Sequence, residues 1–218
     1  KSQVSGTQVS QRNAQDGISL VQTAEGALSE TQNILQRIRE LSVQSSNGTL
    51  SDANRAAINT EVQQLLSQVD AIATQTEFNG INVLSTAQTV TLQAGAQVSQ
   101  TLSISVAGAK TSDLGVNGVV VSSMALAVSA ISTIDTALKS VSTLRSNLGA
   151  YQNRLEFTIN TLAIQEENAS SSESAIRDAD IATETVKFTR NQILVSSGTS
   201  VLAQANVIPQ TALQLIGR

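Results

Sequence analysis

The chain has 218 residues, with 13 Lys and Arg against 17 Asp and Glu, a formal net charge of −4, and no cysteine or histidine. These absences exclude disulfide frameworks, thiolate metal sites, Ser–His and Cys–His catalysis and His-ligated zinc helices. No basic run offers a phosphate footprint, so nucleic acid is not an expected partner. Aromatic residues make up 2% of the chain and proline occurs once, so the core is aliphatic and little interrupts a helix.

In chain order, Lys1 to Gly48 reads as one helix or two, over about 1–46. Ile18, Val21, Leu28, Leu35, Ile38 and Leu41 recur at helical spacing, and Asn47-Gly48 is a suitable end because glycine tolerates a left-handed cap. Ser51 with Asp52 opens a second helix, about 52–76. It carries Ala57, Ile58, Val62, Leu65, Leu66, Val69 and Ile72 on one side. Asn79-Gly80 ends that helix or turns the chain.

From Thr89 to Ala107 the period changes to two. Val90 and Leu92 alternate with threonines, and Leu102, Ile104 and Val106 with serines, which predicts a β-hairpin over about 88–107 turning near Gly95. Gly108 to Ser123 reads as loop, with a short strand at Val119–Val121. A heptad stretch follows: Ile131, Ile134, Leu138, Val141, Leu148, Leu155, Ile159 and Leu162. A strand cannot use that period. A helix over about 125–170, about 65 Å long at 1.5 Å per residue, needs partner helices along its whole length.

The serines at 170, 171, 172 and 174 suggest a break. Beyond it, Leu194, Val201, Ile208 and Leu215 are spaced by sevens, and Ile181, Phe188, Val195 and Leu202 form a second such row. The expected fold is mainly α: an elongated bundle of long heptad-patterned helices with a small β-hairpin region. It divides into a rod, 1–178, and a C-terminal arm, 179–218, whose rows suit a coiled coil. No run of about 18 apolar residues predicts a membrane span. No signal peptide heads the chain, and Lys1 in place of methionine reads as the start of a fragment.

Few residues suggest chemistry. Asp178 and Asp180 are spaced as a hard-cation site could be, but capping the next helix is the better reading, and no EF-hand pattern surrounds them. Asn47-Gly48-Thr49 and Asn168-Ala169-Ser170 match the N-glycosylation acceptor pattern. Arg145 and Gln152 fall where the heptad expects apolar residues, either at a solvated edge or as register-setting polar groups. No catalytic residue, metal or cofactor is expected.

Blocks along the chain resemble a known family. They are NAQDGISLVQTAEGALSE from Asn13, LQRIRELSVQS from Leu35, TQTEFNGINVL from Thr74, LGAYQNRLEFTINTL from Leu148, ESAIRDADIATE from Glu173 and VLAQANVIPQTALQLIGR from Val201. They resemble bacterial flagellin, in family order and over most of the chain. The resemblance implies a secreted, extracellular subunit that polymerises with itself into the flagellar filament for motility, with an export chaperone and cap proteins as further partners. Arg37, Arg39, Glu40 and Leu41 fall in the stretch that in flagellins faces a neighbouring subunit and is read by a Toll-like receptor of innate immunity. Arg37 and Leu41 carry over as receptor contacts. The receptor pattern also expects an acidic residue near Ser67, where Ser67 and Gln68 stand. Leu194, Val201, Ile208 and Leu215 carry over as packing residues of the arm. Relative to the family, the helical segment preceding Lys1 is absent and the outer domains shrink to a loop around Gly115–Met124, as in a minimal flagellin. Other readings are a hook–filament junction protein, favoured less by the EFNG block and the C-terminal ending, and a surface module displaying a loop to a glycan or host receptor.

Overall fold

The computed structural model describes residues 2–177 and 180–217, with the side chains of 177 and 208–216 outside the description. Two compact units result, Lys1–Ser170 and Ser171–Arg218.

In the first unit, α1 is a single helix, Ser2–Ser45. Its buried residues fall in two heptad rows: Thr7, Ala14, Val21, Leu28, Leu35 and Ser42, and Ser10, Gly17, Ala24, Thr31, Ile38 and Ser45. Two rows at this spacing make the a/d seam of a helix packed along its length. The matching seam on α3, Met124–Arg177, is Ala127, Ile134, Val141, Leu148, Leu155 and Leu162, all buried. Contacts of Arg39 with Asp135, Arg145 with Gln32, and Gln8 with Glu166 run in opposite order along the two helices, so α1 and α3 are antiparallel. A fully buried Leu or Ile contributes roughly 1.5–3 kcal/mol, and Leu28, Leu35, Ile38, Ile134, Leu148 and Leu155 are all under 2% exposed or at that limit. The aliphatic seam therefore holds the unit together.

α2, Asp52–Gln75, starts at Ser51, whose side chain accepts from the Asn54 N–H, and buries Val62, Leu66, Val69 and Ala73. Of its two readings, Asn79-Gly80 turns the chain rather than ending this helix. It forms the tip of a further hairpin, β1 (Glu77–Phe78) with β2 (Ile81–Asn82), in which Phe78 opposes Ile81. Both tip residues have positive φ, 50° and 79°, as a two-residue primed turn requires. The main hairpin pairs β3 (Gln88–Gln93) with β4 (Thr101–Val106), in the register Val90 opposite Ile104 and Leu92 opposite Leu102. β4 buries Leu102, Ile104 and Val106 and exposes the serines and threonine between them.

Two sequence expectations change. Val119–Val121 is not a strand. It keeps strand-like alternation, with Val119 and Val121 buried and Val120 exposed, but side chains hold its backbone. Gln63 Nε2 donates to the Val119 carbonyl (2.8 Å), Val121 N–H donates to Asn59 Oδ1 (2.9 Å), and Ser45 Oγ donates to the Val121 carbonyl (2.5 Å). Nor does the helix break at the serines, since α3 runs on to Arg177. Serine is a middling helix former rather than a breaker.

In the second unit, α4 runs Ile181–Ile216, through both Gly198 and Pro209. Asp180 caps it: Oδ1 accepts from the Ala182 and Thr183 N–H groups (3.0 and 3.2 Å), and Oδ2 accepts from Thr183 Oγ1 (2.8 Å). These bonds, the Thr183 side chain first, hold the Asp180 carboxyl below its ordinary pKa. Asp178 lies outside the described residues.

Candidate interaction surfaces

The block Arg37, Arg39, Glu40 and Leu41 does not form one face. A helix turns each residue by about 100°, so neighbours two apart point nearly opposite ways. Arg37 reaches α2, bonding Glu61 (3.0 Å) and its own-helix neighbour Glu40 (3.2 Å). Arg39 reaches α3, bonding Asp135 through Nε (2.7 Å). Leu41 is 2% exposed and belongs to the core, where it shapes this surface only from beneath. The charged side chains themselves are about half exposed. Glu61, then Glu40, hold the Arg37 guanidinium above its ordinary pKa, and Asp135 does the same for Arg39. Ion pairs this exposed contribute little to stability. Their effect is to present Arg37 with Glu40 and Glu61 on the α1–α2 side and Arg39 with Asp135 on the α1–α3 side.

The acidic residue facing Arg37 is Glu61, and Ser67 instead bonds the Gln63 carbonyl of its own helix. Sequence spacing alone could have found Glu61 only once the antiparallel register of α1 and α2 was known. The same holds for Arg55, and Asp135 needs the antiparallel register of α1 and α3. Arg55 is 7% exposed and donates from Nε to the Ser45 carbonyl (3.0 Å), from Nη2 to the Asn47 carbonyl (2.9 Å), and from Nη1 to Asp52 (3.0 Å). It therefore satisfies the Ser45 carbonyl, which the end of α1 leaves without a helical partner, and joins the Leu50 N–H on the Asn47 carbonyl. Asp70 similarly fixes the loop after β4, accepting from the Thr111 N–H and Oγ1.

Arg145 and Gln152 separate in the structure. Both lie on the flank of the seam, half-buried. Arg145 bridges across to Gln32 (2.7 Å) and Glu25 (3.4 Å) on α1, while Gln152 bonds Glu156 on its own helix.

On α4 the arm residues Leu194 and Val201 are 61% and 67% exposed. Ile181, Phe188, Val195 and Leu202 of the neighbouring row are exposed as well. The side chains of Ile208 and Leu215 lie outside the described residues. By length and composition alone, one window between Met124 and Val207 is apolar enough to cross a membrane, but its apolar residues are spaced in heptad rows among Ser, Thr, Asn and Gln, the pattern of a helix meeting helices. Among the described residues no group of acidic side chains could hold a metal ion.

The sequence pattern of the bacterial flagellin N-terminal helical region matches residues 1–89, and that of the bacterial flagellin C-terminal helical region matches residues 131–216. A flagellar filament 31.3 kDa core protein of Treponema maltophilum is 44% identical over 233 residues, spanning 99% of this chain and 82% of that protein. A flagellin of Halalkalibacterium halodurans is 45% identical over 219 residues, spanning 99% of this chain and 80% of its own length. Among solved structures, the Bacillus cereus flagellin crystal structure aligns with a TM-score of 0.60 at 28% identity, covering 74% of this chain and 94% of that one.

Proposed function

This chain belongs to the bacterial flagellin family of structural proteins and is a subunit of the flagellar filament, and we propose that it polymerises through two kinds of surface. The rod, 1–178, would meet neighbouring subunits through Arg37 and Glu40 on its α1–α2 side and Arg39 on its α1–α3 side. The arm, 179–218, would bury its heptad rows, Leu194, Val201, Ile208 and Leu215 among them, against helices of neighbouring chains. The observation that carries this reading is the contrast between seams. The rows of α1 and α3 are covered within the chain, while Leu194 and Val201 on α4 are more than half exposed. Exposed apolar rows at heptad spacing call for partner helices, and contacts repeated between unlike surfaces without closure give a helical polymer. Seeded elongation tests it. Leu194→Asp with Val201→Asp should abolish growth from filament seeds, read by light scattering and electron microscopy, while the rod keeps its helical spectrum. Elongation at the parent rate would refute the arm's role.

The charged α1–α2 surface also supports a reading as an epitope for a Toll-like receptor, with Arg37 at its centre because it is the arginine fixed by Glu61 and Glu40. Arginines at interface centres are frequent hot spots. Arg37→Ala should weaken binding of the receptor ectodomain more than Arg12→Ala, and equal binding by both variants and the parent would remove Arg37 from the site. Secretion by an export chaperone route, and growth under a cap protein, follow from family membership as parts of the same proposal.

A further inference from the structure

We propose that the open edge of β4 takes Val119–Val121 of a neighbouring copy as an added parallel strand, a contact that rests on the filament reading above and adds a further rod surface to it. The two edges of the main hairpin are not alike. The Ala94 N–H donates to the Gln100 carbonyl, and the register then turns the N–H and C=O groups of alternate residues outward. These are Thr89, Thr91 and Gln93 on β3, and Thr101, Ser103 and Ser105 on β4. β3 lies against α1, where Asn13 Nδ2 donates to the outward Gln93 carbonyl (3.1 Å) and Leu92 fills the space at Gly17. On β4 no hydrogen bond among the described residues reaches the outward main-chain groups. Open edges are normally blunted by charge, proline or a bulge. Residues 78–109 contain no charged residue and no proline, and the β3–β4 register runs without a bulge.

α3 runs beside this edge and leaves a groove. At one end a cleft of about 240 Å³ is lined by Ser105, Val106, Leu144, Leu148 and Tyr151 among others. At the other end a cleft of about 310 Å³ is lined by Gly95, Gln100, Phe157 and Leu162 among others. No charged side chain lines either cleft, and Phe157 is 72% exposed. A strand edge beside a helix is the geometry of strand addition: main-chain bonds hold the incoming strand while alternate side chains enter the groove. A neutral groove selects a neutral strand, because a charge without a partner is costly to bury.

The chain carries such a strand. Val119–Val121 has strand-like alternation and lies in a run without charge, 114–134. Gln63 takes its Val119 carbonyl, Asn59 its Val121 N–H and Ser45 its Val121 carbonyl, all along one edge. The Val120 N–H and C=O therefore point to the other edge, where no hydrogen bond among the described residues reaches them. The directions also agree. β4 runs from beside Leu162 of α3 toward Leu144, and Val119–Val121 runs from Gln63 toward Asn59 and Ser45. Both head for the end of the rod at which α1 stops. Neighbours joined by repeated unlike contacts share one orientation along the polymer, so the strands meet in parallel. The Val120 N–H then donates to one outward carbonyl of β4, and its C=O accepts from the next outward N–H. Val120 sits beside Ser129 of α3, and Ser105 beside Tyr151. The neighbour is therefore displaced along the rod by roughly 33 Å at 1.5 Å per residue, and the contact does not close on itself.

Because the chain has no cysteine, Ser103→Cys combined with Val120→Cys introduces the only thiols. Filaments elongated from seeds are treated with a short bis-maleimide and separated under denaturing conditions. The double variant should give a ladder of covalent oligomers, while each single variant stays monomeric. Elongated filaments without a ladder would overturn the contact and leave the arm's role standing. Dimers from Ser103→Cys alone would overturn it in favour of β4 pairing with β4. A second pair of variants reads the main-chain bond. Val120→Pro removes an N–H that its own chain does not use, and should slow elongation several-fold while the rod melts as the parent does. Val120→Ala keeps that N–H and should elongate close to the parent rate. Equal elongation by the two variants would remove the Val120 N–H, and with it the added strand.

Discussion

Arg55 shows how one side chain joins two helices. Its guanidinium is buried while its carboxylate partner Asp52 is 94% exposed, so its main-chain acceptors at Ser45 and Asn47 carry more weight than the ion pair. Replacing Arg55 by Met keeps most of the volume but takes the guanidinium donor from the carbonyl of buried Ser45, whereas the Asn47 carbonyl still accepts from the Leu50 N–H. An unsatisfied buried polar group costs about 1–3 kcal/mol, and the denaturant midpoint of Arg55→Met should fall accordingly. Asp52→Ala, which removes only the exposed partner, should change it by less than about 1 kcal/mol. Asp180 supplies a pH-dependent counterpart at the start of α4. Its pKa is lowered in the folded chain, chiefly by the Thr183 side chain and then by the backbone N–H groups. A depressed carboxylate stabilises above its unfolded pKa, and that contribution is lost as pH falls through the folded value. The cap should therefore hold at neutral and mildly acidic pH and open only below the usual carboxylate range. Amide shifts of Ala182 and Thr183 in an acid NMR titration check this, and Asp180→Ala should show the opened cap at every pH.

At the scale of elements, α1 accepts the main hairpin at a glycine. A Cβ on Gly17 would lie 2.3 Å from Leu92 Cδ1 of β3 and 3.4 Å from Leu155 of α3, so the missing side chain makes the space that Leu92 fills. Overpacking a filled site costs about 1–3 kcal/mol. Gly17→Val should lower the denaturant midpoint by that much, and adding Leu92→Ala should recover part of the loss. A loss undiminished in the double variant would place the strain on Leu155 instead. The long elements themselves were legible in the sequence, because a heptad row declares both a helix and its buried stripe. Ser51 as N-cap and the β3–β4 alternation were legible for the same reason: each is a local signal. What stayed hidden depends on pairing between distant segments. The two-residue strands β1 and β2 are too short for a period, so Asn79-Gly80 read as a helix end or a turn with no strands assigned around it. The side-chain ties on Val119–Val121 come from Ser45, Asn59 and Gln63, and no local pattern distinguishes such ties from a strand.

For the whole molecule, the charged candidate site was legible as a block and not as a geometry. Arg37 and Arg39 are two apart in sequence but serve different helices, and their partners Glu61 and Asp135 lie far along the chain. The arm was more legible than the charged block, since its rows stand out by spacing alone. This leads to a prediction about assembly. An unsupported helix in water is marginal. α4 contains Gly198, worth about 1 kcal/mol against the helix, and Pro209, which offers no N–H to the carbonyl of Ala205 and costs about 3 kcal/mol in a helix interior. Its described apolar side chains, Leu194, Val195, Val201 and Leu202, remain more than half exposed. α3 by contrast buries Ile134 and Val141 fully. In dilute monomer, amides from Leu194 to Leu202 should exchange rapidly while those from Ile134 to Val141 are strongly protected. On polymerisation the arm should become protected to a similar degree, because only then do other helices cover its rows. Protection of Leu194–Leu202 in the monomer comparable to that of Ile134–Val141 would show that the arm folds without partners, and its exposed rows would then no longer account for the drive to assemble.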